Sequence, residues 1–325
     1  MKKQVRYFAG VLALAMMLAV PAAALFGGKK ETVEPPPEGA PIAQEIAVST
    51  YRNIPYRAKF LSVDNEGDEV TYSIQTAPKK GTVTVEGDTF TYTPAQNKTG
   101  KDTFTYVATD AQGNASAPAT VTVTVEKARS GVSYQDTDDP ETAAAAQYLA
   151  EAGVFVGPCM GGQYYFEPER TVSRGEFLAM TMELAGIPAD QVTMTGFADD
   201  SAIPAWAKSY ASAGLAEGIV RGVRTEEGVA FRSASPVSCN EAAAILDRVL
   251  AVGDVDLSVW YADKDAAPSW AAQAVGNLES VNVLAAGSFG SSTLAQPLTR
   301  AEAARILAAA GTLLEGREAG GFTLF

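Results

Sequence analysis

A ten-residue segment, LTRAEAARIL, begins at Leu298, and two near-copies, VSRGEFLAM and VSCNEAAAIL, begin at Val172 and Val237. A repeat constrains a fold more than any other pattern, because each copy must form one supersecondary unit and bury its apolar face against the next. The copies belong to longer units. Each unit opens with an aromatic residue, a spacer and an aspartate, and Asp136, Asp199 and Asp263 lie 63 and 64 residues apart. An Ala-rich helix follows in each, with Pro140, Pro204 or Pro268 at its start, where the missing N–H costs nothing. Gly153 and Gly218 close the first two. From these glycines to Glu176 and Glu241 the spacing is 23 residues in both units, and the third loop is shorter.

In each copy a hydroxyl residue stands three before a glutamate: Ser173/Glu176, Ser238/Glu241 and Thr299/Glu302. That is a capping box, in which hydroxyl and carboxylate satisfy backbone donors that a helix start leaves open. Phe177, Met180 and Leu184, with Ile245, Leu246 and Val249 and then Ile306, Leu307 and Ala310, follow at helical spacing and read as core. Arg174 and Arg300 have no such reason to recur. At the first helical position a cation opposes the macrodipole by ~0.3–1 kcal/mol. A helix start with open N–H groups suits an anion, and an arginine beside it adds a planar, bidentate donor. The alternative is an arginine paired with an acidic neighbour.

The middle copy has Cys239 in that place, a weak donor. Cys239 either pairs with Cys159 of the first unit's loop, closing ~80 residues, or serves as a small buried hydrophobe. Trp206 and Trp270 read as core first, with stacking on a sugar's C–H face as the alternative. Asp136, Asp199 and Asp263 read as structural, capping the first helix or bonding the loop.

Upstream, residues 41–126 alternate apolar and polar side chains. VTYSIQT, TVTVEG, TFTYTP, DTFTYVATD and ATVTVTVE, with the weaker EIAVS and AKFLSV, make about seven strands, a β-sandwich spacing. Before them, residues 25–40 (LFGGKKETVEPPPEGA) read as an extended linker. Residues 1–24 carry Lys2, Lys3 and Arg6, an apolar run and PAAA, the pattern of a secretory signal peptide. The chain carries −13, and loss of three cations with the leader would make it −16. So acidic a chain does not seek nucleic acid or anionic membranes by bulk electrostatics. With no histidine and no G-x-S-x-G, the commonest general base and hydrolase signature are missing, and no enzymatic activity is expected.

Two resemblances follow. VDNEGDEVTYSI, GTVTVEGDTFTYTP and GKDTFTYVATDAQGN resemble a bacterial Ig-like or cadherin-like module. Some such modules bind Ca²⁺ through aspartates at strand ends, which makes Asp64, Asp68, Asp102 and Asp110 candidate ligands; the preferred reading is that they bond their own turns. The aromatic-x-Asp start, the Trp after proline and the TRAE-type box resemble S-layer homology (SLH) domains at 133–187, 197–252 and 260–314. That resemblance implies a multidomain chain, an N-terminal all-β Ig-like sandwich followed by an all-α pseudo-threefold bundle of three SLH repeats. It implies non-covalent anchoring to cell-wall polysaccharide, often with pyruvylated amino sugars, with the TRAE arginine as a ligand contact. Arg174, Arg300, Trp206, Trp270, Glu176 and Glu302 become the carbohydrate-binding candidates, and the Ig-like module a spacer or adhesive tip for a surface ligand. The alternative is an S-layer lattice or other envelope assembly protein acting by self-association. The chain departs from the pattern at PETAAAA, which has no Trp, at the third loop GSFGSSTLAQP, and at Cys239.

Overall fold

The computed structural model describes residues 36, 37, 39–263 and 265–319. The expected signal peptide and most of the expected linker lie outside the described residues. The chain divides into two units, Met1–Lys127 and Ala128–Phe325.

The first unit is built of β1 (Ile42–Ala43), β2 (Ile46–Tyr51), β3 (Tyr56–Lys59), β4 (Ser62–Val63), β5 (Thr71–Thr76), β6 (Gly81–Glu86), β7 (Thr89–Pro94), β8 (Gly100–Thr109) and β9 (Ala119–Glu126). One sheet has the order β2-β9-β8-β5 and the other β3-β7-β6, while β1 pairs with β4. All pairs are antiparallel except β2 with β9. Alternation sets the faces. Along β8, Asp102, Phe104, Tyr106 and Ala108 point inward and their neighbours outward, as a period of two requires. Phe60, Phe90, Phe104 and Tyr106 fill the space between the sheets, with centroids 4.6 Å apart for Phe60–Tyr106 and 5.4 Å for Phe90–Phe104.

Asp102 is a buried carboxylate in this core. It accepts from the backbone N–H of Lys79 (3.0 Å) and Lys80 (2.6 Å), from that of Thr103 (3.0 Å) and from the Tyr92 hydroxyl (3.0 Å). One side chain thus ties β8 to β7 and to the turn before β6. Burial raises its pKa, but the four donors outweigh burial and hold the carboxyl below the usual carboxylate range. A depressed folded value means that this contribution is complete above the unfolded value near ~3.9 and is lost as pH falls through the folded one. We expect the thermal midpoint of this unit to fall on acidification from about pH 5 downward. Asp102→Asn should lower the midpoint at pH 7 and flatten the acid limb; calorimetry of the full chain across that range checks both.

The second unit is mainly helical: α1 (Pro140–Glu151), β10 (Cys159–Met160), β11 (Gln163–Tyr164), α2 (Arg174–Leu184), α3 (Ala205–Ala216), β12 (Val223–Thr225), β13 (Gly228–Ala230), α4 (Cys239–Leu250), α5 (Leu257–Trp260), α6 (Ala272–Ser280) and α7 (Arg300–Ala319). It is not all-α as expected, since the hairpins β10–β11 and β12–β13 fill the two longer loops. In the first, Gly161 and Gly162 have φ of 60° and 80°, values that two-residue hairpin turns demand. The shorter third loop makes a 3₁₀ turn at Ser292–Ala295 instead.

The first helix of each repeat packs on the second helix of the preceding one: α3 on α2, α6 on α4, and α1 on α7. That last contact closes a ring. At its centre Val237 N–H donates to Val172 O (2.9 Å), Leu298 N–H to Val237 O (2.8 Å) and Val172 N–H to Leu298 O (3.0 Å). All three residues are buried. Isolated β-bridges join the same segments, Ser173 with Pro236, Ser238 with Pro297 and Thr171 with Thr299. A single apolar core, from Leu149 and Phe177 through Leu246 to Leu278 and Leu307, runs through all three repeats.

Candidate functional site

The repeated box forms the expected caps. Ser173 and Ser238 each accept from the N–H three residues on (3.2 and 3.3 Å), and Glu176 and Glu241 return to the cap N–H (2.8 and 2.9 Å). Thr299 and Glu302 repeat the geometry at 3.2 and 2.8 Å. The N–H groups before them are also taken. Arg174 and Gly175 donate to Ser235 O and Ser233 O at 2.8 and 2.9 Å, and Arg300 and Ala301 to Arg170 O and Pro168 O at 2.7 and 3.0 Å. These helix starts are therefore closed by the neighbouring repeat's loop rather than open to an anion. The approach is tight, since a Cβ at Gly175 would lie 2.3 Å from Ser233 Oγ.

Arg174 and Arg300 turn inward. The Arg300 side chain is 5% exposed. It donates to Phe166 O and to Glu167 Oε2 (3.0 Å), and lies over the Phe155 ring, 4.9 Å from its centroid. Arg174 donates to Glu241 Oε1 at 3.1 Å and lies over Phe231 at 5.6 Å, while its Nε is buried without a partner among the described residues. Each arginine thus stitches one repeat to another. The dipole penalty that made them conspicuous is offset by a carboxylate and an aromatic face.

Cys239 breaks the stitch. It occupies the place of Arg174, and where Glu241 pairs with the Arg174 cation, the charge of Glu302 only disfavours the Cys239 thiolate. Burial, then the charge of Glu302, pushes its thiol up to about 11. Of the two alternatives for Cys239, the bond to Cys159 is not formed, and both thiols are free. The ring runs the other way from that expectation. The first unit's loop, which carries Cys159 on an exposed hairpin, meets the third box at Arg300, and the second unit's loop meets the first box.

The opening aspartates bond the loops and do not cap the first helices. Asp136 accepts from Phe166 and Glu167 N–H, both 2.7 Å, and Asp199 from Phe231 and Arg232 N–H, 2.7 and 2.8 Å. Asp139 is the cap of α1. In the third unit Asp263 accepts only locally, from Asp265 N–H (3.0 Å), among the described residues. Glu279 takes over, accepting from Gly287 and Phe289 N–H at 2.6 and 2.9 Å. The opening aromatic meets a loop phenylalanine in every unit: Tyr134–Phe166, Phe197–Phe231 and Tyr261–Phe289, with centroids 5.2, 5.3 and 3.8 Å apart.

Both tryptophans are surface residues, Trp206 at 52% and Trp270 at 59% exposure, which corrects the core reading. Trp206 borders a cleft of about 420 Å³ between the first box and the second repeat. Arg170, Thr171, Ser173, Glu176 and Ser233 line it too. Arg170 was not singled out by the sequence pattern. Its guanidinium, half exposed, donates to Glu176 Oε1 at 2.9 Å, while the other oxygen of Glu176 holds the cap. The cleft therefore presents an indole face, hydroxyls, a carboxylate and a guanidinium, the groups that bind a polyhydroxylated ligand carrying an anion. Arg174, Arg300 and Glu302 are not among the residues that line it.

Residues 38–124 match the bacterial Ig domain family. In this Ig domain the four calcium candidates do not assemble, and no three acidic, Cys or His groups gather to hold a metal among the described residues. Asp102 serves the turn described above, Asp110 accepts from Asn114 N–H and Nδ2 (2.8 and 2.9 Å), and Asp64 from Glu66 N–H (2.9 Å). Asp68 is partly exposed nearby in sequence to Asp64. No curated protein matches the chain.

Several solved structures share limited similarity. An endo-fucoidan hydrolase of glycoside hydrolase family 107 is 18% identical over 30% of this chain and 15% of its own, with TM-score 0.24. A SusE-like surface polysaccharide-binding protein of Bacteroides thetaiotaomicron is 18% identical over 26% and 14%, TM-score 0.21. Fibronectin(III)-like modules of Clostridium thermocellum CbhA are 19% identical over 28% and 48%, TM-score 0.21. The chain spans less than half the length of each, and superpositions this poor carry no functional argument. No helix among the described residues is long and apolar enough to cross a membrane.

Arg300→Ala should destabilise the helical unit by about 2 kcal/mol, because it removes a buried guanidinium that donates to Phe166 O and leaves that carbonyl unpaired, while the half-exposed Glu167 turns to water. Arg170→Ala, at an exposed pair, should cost under about 1 kcal/mol. Denaturant titration of both variants separates the roles. A second expectation concerns the thiols. Without reductant, a thiol reagent should modify Cys159 rapidly and Cys239 only slowly or on unfolding; a chain with no titratable thiol would restore the disulfide.

Proposed function

We propose that this is an exported bacterial surface protein whose helical unit is a triplet of SLH repeats holding cell-wall polysaccharide without a covalent bond. The Ig domain acts as a spacer or as an adhesive tip for a surface ligand. The observation that carries the reading is the cleft at the first box, where an exposed Trp206 faces Arg170, Glu176 and hydroxyls on a ring that three near-identical boxes close. The ligand class is a wall polymer with acidic decorations such as pyruvylated amino sugars. An indole stacks on the sugar and Glu176 accepts from its hydroxyls; Trp270 and Glu302 are the counterparts in the other repeats. Arg174 and Arg300 enter as positioning residues that hold box and loop together. More than one occupied groove on one chain would multiply a weak affinity. No catalytic role is proposed, since the chain has no histidine and the cleft is accounted for by recognition groups.

A second reading, assembly into a surface lattice by self-association, draws on α5, where Val259 is 77% and Trp260 56% exposed. Co-sedimentation with purified sacculi tests the main reading. The parent should pellet, Trp206→Ala should pellet at least several-fold less, and extraction of the secondary wall polymer should abolish binding. Retention on bare peptidoglycan would overturn it, and concentration-dependent growth of particles in light scattering without sacculi would favour the lattice.

A further inference from the structure

We infer that the first groove is the one that reads the ligand's negative charge, and that Arg170 is its specificity-determining residue; this rests on the wall-polymer reading above. The argument begins with elimination. An anion could be met by the box arginines, by helix N–H groups or by another cation. The first are buried and paired with Glu241 and Glu167. The second, at the first and third boxes, donate to loop carbonyls of a neighbouring repeat. Arg170 is what the cleft itself offers. Its side chain is 52% exposed. Its hydrogen bond goes to Glu176, which is itself locked by the cap N–H of Ser173. That contact orients the planar fork. Glu167 Oε2 stands 3.9 Å from Nη1, an ion pair too long for a hydrogen bond, so Nη1 and Nε keep N–H groups to donate to a ligand carboxylate, while Trp206 lies on the same cleft for the sugar ring.

The repeats do not share this arrangement. Arg170 stands four residues before Arg174. The same position before Cys239 is Ser235, and before Arg300 it is Gln296. Neither carries charge, so this position offers a hydroxyl or an amide in the second and third repeats where the first offers a guanidinium. The cleft volume suits one or two sugar units. On a chain with so large an excess of carboxylates, one exposed cation beside a stacking surface decides which saccharides can approach.

The test compares native sacculi with sacculi whose carboxylates have been amidated. The parent should bind the amidated wall about tenfold or more weaker, as expected for one lost charge-assisted contact. Arg170→Gln should bind native wall as weakly as the parent binds amidated wall, and should lose nothing further on amidation. Its binding should also depend less on added salt, and Arg170→Lys should recover part of both effects. Unfolding midpoints close to the parent's confirm intact variants. If the parent pellets on native wall but Arg170→Gln matches it, or if amidation weakens both equally, the assignment to Arg170 is overturned while the anchoring reading stands. If the parent fails to pellet on native sacculi, the anchoring reading itself falls.

Discussion

Three backbone hydrogen bonds, passed around Val172, Val237 and Leu298, hold the helical unit together at its centre. Each residue both donates and accepts, so no member can leave without orphaning two buried groups. The residue next along the chain is the helix cap, so the cycle fixes where α2, α4 and α7 begin and how they point. At α2 and α7 the loop of a neighbouring repeat is then drawn over the helix start, and its carbonyls take the N–H groups an isolated helix would leave to water. The recurring box is thus a joint as well as a cap. It joins three copies to one another before it does anything for a ligand.

What the sequence showed and what it hid divide along the same line. Ser173/Glu176 and its two counterparts were legible because a capping box closes within three residues. The strands of the Ig domain were legible because alternation maps onto two faces; AKFLSV alone split, into β3 and β4, around the buried Phe60. The order in which repeats interlock was hidden. A period near 64 residues says that copies pack, and nothing about whether a loop meets the box ahead or behind. The choice between a Cys159–Cys239 bond and a small buried side chain turned on that point, and in the structure the two cysteines fall at different junctions. The partners of the arginines were hidden for a related reason. The macrodipole argument treats a helix alone, whereas Arg174 meets Glu241 from another repeat, 67 residues away.

The third repeat shows how a contact survives when its motif does not. With a shorter loop, Asp263 no longer reaches the loop amides, and Glu279, on α6, grips them instead. No local pattern announces that exchange. Arg170 was hidden in the same way, as one arginine among many until the fold placed it beside Trp206. Trp206 and Trp270 looked like core because helical tryptophans mostly are; their exposure is a property of the junctions.

The contact of α1 with α7 has a kinetic meaning. Tyr148 on α1 donates to Glu315 on α7 at 2.8 Å, and Asp139 pairs with Arg305 at 3.2 Å. The earliest helix of the unit to be synthesised therefore waits for the latest before it finds its partner. Loops this long are slow to close, so the bundle stays threadable during synthesis and snaps shut only when its final helix arrives.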